Sequence, residues 1–534
     1  MSQSMPDPQV LIIGGGIVGL SASLFLSQHS VSSLLIERHS GTSIHPRARS
    51  VNARTMELYR SLGIDDVVRE AGKDLSLSGG IYKGETLVSV IEPRKRKESS
   101  GPRTFNNPFG LGDRLGPVDG ARGTQDLIEP VLLKAARERG VDVRFRTEFV
   151  SSSQDETGIE ATIREQSTGV ESKVRAKYMI AADGAGSLIR TSLNVPTTGV
   201  GSQGHLLNIL FEADLQSFVQ GREFSMCYIE QASVRGLFTS INNKERWVFH
   251  LSYSPSLGET PDDFPPEKCE KLVGLALGMD DVKVAVKSIL PWEPTVRVVT
   301  QLQHNRIFLV GDAAHTMPPW GGQGANSGIA DVHNLAWKLG LVLNHDISPK
   351  LLETYNVERQ PVGKLVADES GMASDGFGLI NWGGISPLLA GLKRAPRLLG
   401  FGYSYSSSSV NEDDDTPWYW RNQSLFWRPL GWILSLDGRA GTRCPHVWVV
   451  LDGKRISTLD IFGRGFVMLA GNEGKGWIGA AKRAEEKVGI QVKAYVVGEE
   501  GGLRLAQLLS DDVAEEVQLD RGAARGRGVA SHSA

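Results

Sequence analysis

The chain has 534 residues and a mass of 58.0 kDa, too long for one compact core, and its length predicts roughly two to four domains. Its 58 Lys and Arg residues nearly balance 61 Asp and Glu residues, and the formal net charge of -3 argues against a nucleic-acid partner. The cysteines are too few and too scattered for a disulfide framework or a metal site, which favours a reducing, cytoplasmic location: Cys227, Cys269 and Cys444. Glycine, with 61 residues, exceeds its usual share, which predicts many tight turns and places where backbone approaches a ligand.

The uncharged segment from Val10 to Leu26 is nearly long enough for a signal core or a short membrane span. The residues before it contain an Asp and two prolines but no basic group, and three consecutive glycines interrupt the apolar run. Both features favour a strand and a turn, so we expect no membrane partner.

The first chemical motif is a glycine-rich turn between a predicted strand, Val10 to Ile13, and a predicted helix that continues to about Ser27. Its glycines have the GxGxxG spacing: Gly14, Gly16 and Gly19. The first permits a tight turn, the second lets backbone reach a pyrophosphate, and the third brings helix and strand together. A second strand, Ser33 to Ile36, ends at Glu37, where an acid can accept a bond from a ribose hydroxyl. The pattern predicts a βαβ unit that binds an unphosphorylated adenosine ribose, as in NAD or FAD.

Two further motifs lie far along the chain, and together they favour FAD over NAD. The first of them, KYMIAADGAGSLIRTSL, joins a predicted strand, Tyr178 to Ala181, to Asp183 and Gly184. Arg190 falls in the helix that is expected to follow.

The second is NRIFLVGDAAHTMPPWGGQGANSG, in which a predicted strand, Ile307 to Val310, leads into Asp312. A loop rich in proline and glycine follows, and then a helix from about Ala325. Asp312 at the end of a buried strand can accept hydrogen bonds from a polyol such as ribityl. The loop lets backbone lie against a flat ring, and the helix N-terminus can stabilise negative charge on a reduced flavin.

With these motifs in this order, the chain resembles the class A flavoprotein monooxygenases of the para-hydroxybenzoate hydroxylase fold. The segment GHLLNILFEADL and the long C-terminal region resemble the aromatic polyketide and phenol hydroxylase branch of that family. The resemblance implies an α/β protein with a Rossmann-type FAD-binding domain, an inserted antiparallel-sheet substrate domain and a C-terminal thioredoxin-like domain.

The resemblance also implies which residues bind FAD. Gln125 matches the family's flavin-contacting glutamine, and HPRARSVNARTMELYR matches its arginine-bearing segment near the flavin. The cofactor-binding residues expected on these grounds are Gly14, Gly16, Gly19, Glu37, Arg38, Arg47, Arg49, Arg122, Gln125, Asp183, Gly184, Asp312, Gly322, Gly324, Ala325 and Asn326.

The expected FAD-binding domain is discontinuous and comprises residues 1–75, 100–195 and 296–375. Alternating apolar stretches in residues 196–295 predict an antiparallel sheet, which residues 76–99 are expected to join. In the family such a sheet covers the flavin and forms a wall of the substrate cavity. The basic run from Arg94 to Lys97 is expected at a solvated hairpin tip.

Residues 376–424 are expected to form a linker or helical connection that includes the exposed stretch SYSSSSVNEDDDTP. Residues 425–534 resemble the branch's thioredoxin-like domain. Because Cys444 has no CxxC partner, this domain is expected to be redox-inert and to serve a structural role or a homodimer contact. The tail RGAARGRGVASHSA is expected to fray.

The resemblance implies a reaction in which NADPH, or NADH, reduces FAD as a transient co-substrate. Dioxygen then forms a flavin C4a-hydroperoxide, which hydroxylates a phenolic or aromatic polyketide substrate. Baeyer–Villiger or epoxidising oxygenation of a polyketide is the alternative. A flavin-dependent halogenase would carry a WxWxIP segment, which the sequence lacks, and the intact DG and GD motifs disfavour a non-enzymatic flavin-binding protein.

Tyr228 and His250 lie on predicted sheet strands and are the candidate catalytic residues, although each could also be a satisfied sheet residue. Where phenol hydroxylases carry an activating Asp near the RTME segment, this chain has Arg49 and Ser50. The substrate cavity is expected to include Tyr228, His250, Pro318 and Trp320. His315 is expected to pack or bond beside the flavin loop, and His333 has no partner at metal spacing.

Overall fold

The structure is a computed structural model that describes residues 7–76, 80–95, 115–319, 322–375, 379, 400–410, 438, 440–471, 474–497, 504–505 and 529–531. Its first unit is a six-stranded sheet whose four central strands are mostly apolar and buried, as expected where both faces of a sheet are covered. The strands pair in parallel except at one edge, and their order is Gln303–His304, Ile307–Leu309, Tyr178–Ala181, Val10–Ile13, Ser33–Ile36 and Asp142–Arg144.

Two helices pack against the first helix, Ile17–Gln28, which is apolar around its circumference and almost wholly buried. They are Gln125–Glu138 and the long helix Gln323–Asn344. The remaining helices of this unit are Ala53–Ser61, Asp65–Ala71, Leu188–Ser192 and Glu353–Gly371. A small antiparallel sheet adjoins it, formed by Thr147–Gln154, Ile159–Glu165 and Glu171–Ala176. No helix in the described part of the chain is long and apolar enough to cross a membrane.

A second six-stranded sheet has its own apolar core. Its strands are antiparallel except for the last, which pairs in parallel with its neighbour, and their order is Ala285–Trp292, His205–Glu212, Arg246–Tyr253, Arg235–Ser240, Phe224–Glu230 and Gly80–Gly84. One face packs on the helices Pro266–Leu277 and Leu87–Ile91. The strands predicted by alternation are confirmed, and residues 80–84 join the sheet as expected.

Two small sheets are separate from these two larger ones. Thr295–Val299 pairs with Thr197–Ser202 and with His315–Thr316. Ser50–Val51 pairs with Ala121–Arg122.

The basic run expected at a hairpin tip instead follows a short helix, because a capping box formed by Thr86 and Ser89 starts the helix Leu87–Ile91. Arg94 Nε donates to the Val90 carbonyl at 3.1 Å, and its guanidinium lies 3.5 Å from the centre of the Tyr82 ring. The rest of the run, beyond residue 95, lies outside the described residues.

The C-terminal region contains two small sheets. One has the strands Lys454–Ser457, Trp448–Leu451 and Arg504–Leu505, and the other has Val492–Val497, Phe466–Gly471 and Val529–Ser531. The helix Lys475–Val488 links the parallel pair of the second sheet. The expectation of a frayed tail is wrong for Val529–Ser531, because its backbone extends the edge of the second sheet.

The described part of the expected linker 376–424 is not a free loop. Within residues 400–410, the hydroxyls of Ser407 and Ser409 donate to Glu358 Oε1 at 2.6 and 2.8 Å. Serine hydroxyls that donate to a buried carboxylate hold the chain in place. Composition alone cannot distinguish such serines from serines that face solvent.

Two ion pairs join the helix Ala53–Ser61 to the C-terminal region. The Arg443 guanidinium donates two hydrogen bonds to the Glu57 carboxylate, and both side chains are buried, at 7% and 2% exposure. Arg60 contacts Asp460 at 2.7 Å but is 36% exposed. Removal of one partner leaves an unpaired buried charge in the Glu57–Arg443 pair but not in the Arg60–Asp460 pair. The two pairs should therefore contribute differently to the free energy of unfolding.

We expect Glu57→Ala to cost about 3 kcal/mol, because Arg443 would remain buried without its counter-charge. Arg60→Ala should cost less than about 1 kcal/mol, because water screens the pair with Asp460. Thermal denaturation midpoints of the two purified variants would measure the difference. Equal midpoints would show that the Glu57–Arg443 pair does not hold the C-terminal region in place.

Candidate functional site

Three loops meet at the carboxyl edge of the parallel sheet. The strands before them are hydrogen-bonded neighbours up to their ends: Gly14 N donates to Ile36 O at 2.9 Å, Ala182 N to Ile13 O at 2.8 Å, and Val310 N to Ala181 O at 3.1 Å. The glycine-rich turn and the DG and GD motifs, which are far apart in sequence, therefore lie side by side. The strands predicted before each motif are confirmed to within one residue.

The three motif glycines differ in the space around them. A Cβ on Gly14, where φ is +107°, would lie 2.3 Å from Ala182 O, and one on Gly19 would lie 1.9 Å from Gly14 O. A Cβ on Gly16 would meet no protein atom closer than Glu129 Oε1, at 3.6 Å. Gly14 and Gly19 are thus required by the fold, whereas Gly16 leaves an open space that suits a ligand phosphate.

Glu37 ends the second strand and its carboxylate turns back to the glycine-rich turn. One oxygen accepts from Gly15 N at 2.6 Å and the other from His39 N at 2.8 Å. Each carboxylate oxygen can accept a further bond, which leaves capacity for ribose hydroxyls. The neighbouring Arg38 is exposed and its Nε contacts His39 Nε2.

Asp312 and Asp183 each have an oxygen available on the loops. The Asp312 side chain is accessible, although protein surrounds it closely enough for burial to raise the pKa of its carboxyl. Its carboxylate therefore lies at an open surface that neighbouring groups partly enclose, called the cleft below, and a Cβ on Gly324 would lie 3.8 Å from its Oδ1. Asp183 Oδ1 is buried without a hydrogen-bond partner, and burial raises the pKa of this carboxyl too.

Arg190 connects the loops of the DG and GD motifs. Its guanidinium donates to Ala313 O at 3.0 Å and to Ala185 O, beside the DG motif.

A short two-stranded ribbon gathers the expected arginines and Gln125. Gly123 N donates to Arg49 O at 3.2 Å, and Gln125 N donates to Arg47 O at 2.7 Å. Burial lowers the pKa of both Arg49 and Arg122 to about 10, and the neighbouring charge of Arg122 adds to the effect on Arg49. Two partly buried guanidiniums close to each other create a positive potential suited to an anionic group.

Glu129 is a member of this cluster that the sequence did not reveal. It is 1% exposed, and its two oxygens accept from Gln125 Nε2 at 2.5 Å and from Ser43 N at 2.7 Å. Burial raises the pKa of its carboxyl. The i, i+4 spacing of Gln125 and Glu129 on one predicted helix was the available signal.

The long helix begins at Gln323 after Gly322, whose φ is +65°. Asn326 Oδ1 accepts from Asn52 N at 3.0 Å and from the Thr55 hydroxyl at 2.8 Å, while its Nδ2 donates to Gly322 O at 2.7 Å. The Asn326 side chain is therefore occupied in holding the helix start, so any bond to a ligand here would come from backbone. Ala325 beside it is only partly buried.

His315 bonds beside the GD loop, as expected. Its Nε2 lies 2.7 Å from Asp331 Oδ2, and Arg359 Nε donates to Asp331 Oδ1 at 2.8 Å. Burial alone would raise the pKa of Asp331, but the charges and hydrogen bonds of His315 and Arg359 outweigh it and lower the pKa to about 2. Asp331 also accepts from Gly311 N at 3.1 Å, so this buried network holds the loop that carries the GD motif.

Tyr228 and His250 lie in one row across the second sheet, on the face opposite its apolar core. Leu237 pairs with Tyr228 on one side and with His250 on the other, and Asn208 pairs with His250. The sheet therefore does not bring the two candidates into contact, because one strand separates them. This face adjoins the first unit: Arg49 Nη1 donates to Ser225 O at 2.9 Å, close to the row.

Neither candidate is placed as a free base. Burial, and next the charge of Asp375, raise the pKa of Tyr228, whose hydroxyl donates to Asp375 at 3.2 Å. Burial, reinforced by His45 and Arg49, lowers the pKa of His250 to about 3, so its ring is neutral. Both nitrogens of His250 also have hydrogen-bond partners, Asn208 Oδ1 and Thr239 Oγ1. The geometry thus favours positioning roles, and a catalytic role for either residue stays a prediction.

The remaining candidates are less informative. Pro318 is buried on the loop after His315–Thr316, and Trp320 lies outside the described residues. His333 packs edge-on against Phe25, with ring centres 5.2 Å apart. In the described part of the chain no group of three or more His, Cys, Asp or Glu side chains is arranged to hold a metal ion.

Comparison with known proteins agrees with this geometry. The family described as FAD binding domain matches residues 7–370. Tetracenomycin A2 monooxygenase-dioxygenase of Streptomyces glaucescens is 35% identical over 529 residues, which cover 94% of this chain and 88% of that protein. Aklavinone 12-hydroxylase DnrF of Streptomyces peucetius is 35% identical, covering 90% of this chain and 94% of its own. The crystal structure of aklavinone-11 hydroxylase with FAD and aklavinone has a TM-score of 0.78 at 33% identity, covering 96% and 92% of the two chains.

Alanine substitutions at Gly16 and Gly19 compare an open position with a crowded one. We expect Gly16→Ala to fold normally but to weaken FAD binding roughly 10- to 100-fold, because an added methyl would overpack a filled site by about 1–3 kcal/mol. Gly19→Ala should impair folding itself, because its Cβ would overlap Gly14 O. FAD titration and thermal denaturation of both variants would separate the effects. Normal FAD affinity in Gly16→Ala would show that the open space is not the ligand site.

The neutral state of His250 predicts a specific dependence of stability on pH. An unfolded chain binds a proton at this residue below the ordinary pKa of 6.5, whereas the folded protein does so only near 3. Its contribution to stability is therefore complete above the ordinary pKa and is lost as the pH falls, by roughly 2 kcal/mol at pH 5. Denaturation midpoints at pH 7 and 5 should fall less for His250→Gln than for wild type.

Substitution of the exposed His345 by Gln provides the control, with a wild-type response to pH expected. If His250→Gln responds to pH as His345→Gln does, His250 does not remain neutral in the folded protein.

Proposed function

The chain belongs to the FAD-binding family of flavin-dependent monooxygenases, and from this premise we propose that it uses FAD to hydroxylate an aromatic polyketide. NADPH, or NADH, is the proposed transient reductant, and dioxygen is the proposed source of the inserted oxygen. The relatives that support this substrate class are named for action on tetracenomycin A2 and aklavinone. Since they are named as hydroxylases and monooxygenases, hydroxylation is favoured over Baeyer–Villiger oxygenation.

The observation that carries the proposal is the cleft between the glycine-rich turn and the GD loop. A Cβ on Gly16 or on Gly324 would meet only ordinary contacts there, while Asp312 lies accessible within it. Asp183 has a buried oxygen without a partner on the intervening loop. Space beside glycine backbone, together with acceptor groups left over by the protein, fits an extended dinucleotide with polyol and ribose hydroxyls.

In the proposed complex each part of FAD meets a distinct set of groups. Glu37 would accept from the adenosine ribose, and Asp312 from the ribityl chain. Gly16 and the positive ribbon that carries Arg47, Arg49, Arg122 and Gln125 would hold the pyrophosphate. The backbone from Gly322 to Asn326, at the positive end of the long helix, would hold the ring.

When bound, FAD supplies the redox chemistry: it accepts a hydride from the nicotinamide and activates dioxygen. The protein's own task is to hold the substrate and exclude water. The second sheet is suited to this because its inner face carries an apolar cluster made of Leu206, Leu237, Leu379 and Trp292 around Tyr228.

The finer architecture is part of the proposal. We assign residues 196–295 with 76–99 to a substrate-binding sheet domain inserted in the discontinuous FAD-binding domain. The parallel strands and linking helix within residues 466–497 support a thioredoxin-like C-terminal domain. Cys444 there has no cysteine partner, and burial raises the pKa of its thiol to about 11, so a structural or homodimer role is favoured over redox exchange.

The proposed function predicts a yellow protein that releases FAD on denaturation and oxidises NADPH faster when a hydroxylated anthraquinone is present. Asp312→Ala should retain FAD roughly 10- to 100-fold less tightly, because a charge-assisted hydrogen bond is worth about 1.5–3 kcal/mol. Asp368→Ala, in the surface ion pair with Lys364, is the matched control and should retain FAD normally. A colourless wild-type protein that takes up no added FAD would refute the proposal.

A further inference from the structure

Asn208 lies near the middle of the second sheet, on the face that adjoins the FAD-binding unit. It belongs to the strand His205–Glu212, and it is 5% exposed. Its neighbours on the strand, Leu207 and Ile209, belong to the apolar core on the opposite face, whereas Leu206 shares the inner face with Asn208. The amide is thus buried on the wall that we assign to the substrate.

The hydrogen bonds around Asn208 have one consistent direction. Asn208 Oδ1 can only accept, so the proton of the neutral His250 ring lies on Nδ1, 2.5 Å away. His250 Nε2 is then an acceptor, and the Thr239 hydroxyl, 3.1 Å away, donates to it. The order of donation is therefore Thr239 to His250 to Asn208.

This chain of bonds leaves the other end of the amide without a partner. Because Oδ1 is bonded to His250, the two N–H groups of Asn208 Nδ2 point away from the ring, and no described group accepts from them. Nδ2 is not fully enclosed by protein, so a ligand or a water molecule can reach these N–H groups and accept from them. In the same row, Leu237 lies beside His250 and belongs to a buried apolar cluster with Leu206 and Tyr228, so the surroundings of the amide are apolar.

We propose that Asn208 Nδ2 donates a hydrogen bond to a phenolic or quinone oxygen of the aromatic substrate, and that His250 and Thr239 position the amide. The inference rests on the proposed function and adds to it a residue that recognises the substrate. A donor at this oxygen stabilises the ionised phenol, and the ionised ring is the more electron-rich form that accepts an electrophilic oxygen. Asn208 itself transfers no proton.

The probe is 1,2-dihydroxyanthraquinone, a polycyclic phenol whose visible absorption shifts when it ionises, bound to the FAD-loaded protein. Titration of the bound probe gives its pKa directly, a quantity that a purely structural residue would not change. In wild type the pKa of the bound phenol should lie below that of the free phenol. Asn208→Leu should raise the bound pKa by about one unit and weaken binding about tenfold, since one pKa unit corresponds to a tenfold change.

Three further variants separate recognition from folding. Asn208→Asp keeps the shape but replaces the donor with a carboxylate, so it should raise the pKa of the bound phenol above the wild-type value even if Asn208→Leu does not fold. His250→Gln can still donate to Asn208 and accept from Thr239, so it should retain binding better than His250→Leu. Ile209→Val, which changes the opposite face of the same strand, should leave the spectrum of the probe unchanged.

The outcomes distinguish this inference from the function on which it rests. If wild type binds the probe and Asn208→Asp leaves its affinity and pKa unchanged, Asn208 does not contact the substrate and the inference is wrong. If the FAD-loaded wild type binds neither this probe nor 9,10-anthraquinone, the proposed substrate class is wrong and the inference falls with it.

Discussion

The buried carboxylate of Asp331 holds the central loop of the site in place. It accepts bonds from Gly311 N at 3.1 Å, from His315 Nε2 at 2.7 Å and from Arg359 Nε at 2.8 Å. A carboxylate with no exposure is tolerated only because charged and backbone donors surround it. These bonds fix the turn between the strand and the long helix, so the accessible Asp312 side chain on that turn has a defined position over the cleft.

The same buried helices also hold distant parts of the chain. Arg359 Nη1 donates to the Tyr405 hydroxyl at 2.9 Å, and Glu358 accepts from Ser407 and Ser409. Lys338, fully buried, donates to Glu358 at 2.6 Å. The polar groups of the two long helices thus bind residues 400–410 on one side and the GD loop on the other. The groups that these networks leave unpaired line the cleft. Their free acceptor oxygens and the open space beside them therefore fit a ligand.

The sequence predicted what depends on local pattern. The strand–turn–helix around Gly14, and the strands that precede the other two motifs, follow from apolar runs that end in glycine and aspartate. What escaped prediction depends on pairing between distant segments. Glu129 becomes part of the site only when its helix reaches the 43–45 loop. Asn208 and Thr239, which are 42 and 11 residues from His250 in sequence, flank it only in the register of the folded sheet. One residue of slippage would turn the row to the opposite face.

An isotope experiment tests whether the cleft and the facing sheet together direct one oxygen atom from dioxygen into an aromatic ring. The FAD-loaded protein is supplied with NADPH, 1,2-dihydroxyanthraquinone and ¹⁸O₂, and the product is examined by mass spectrometry. We expect one ¹⁸O atom in the ring product and none when the label is supplied as H₂¹⁸O. NADPH consumption that yields only hydrogen peroxide, or a product labelled from water, would contradict this expectation.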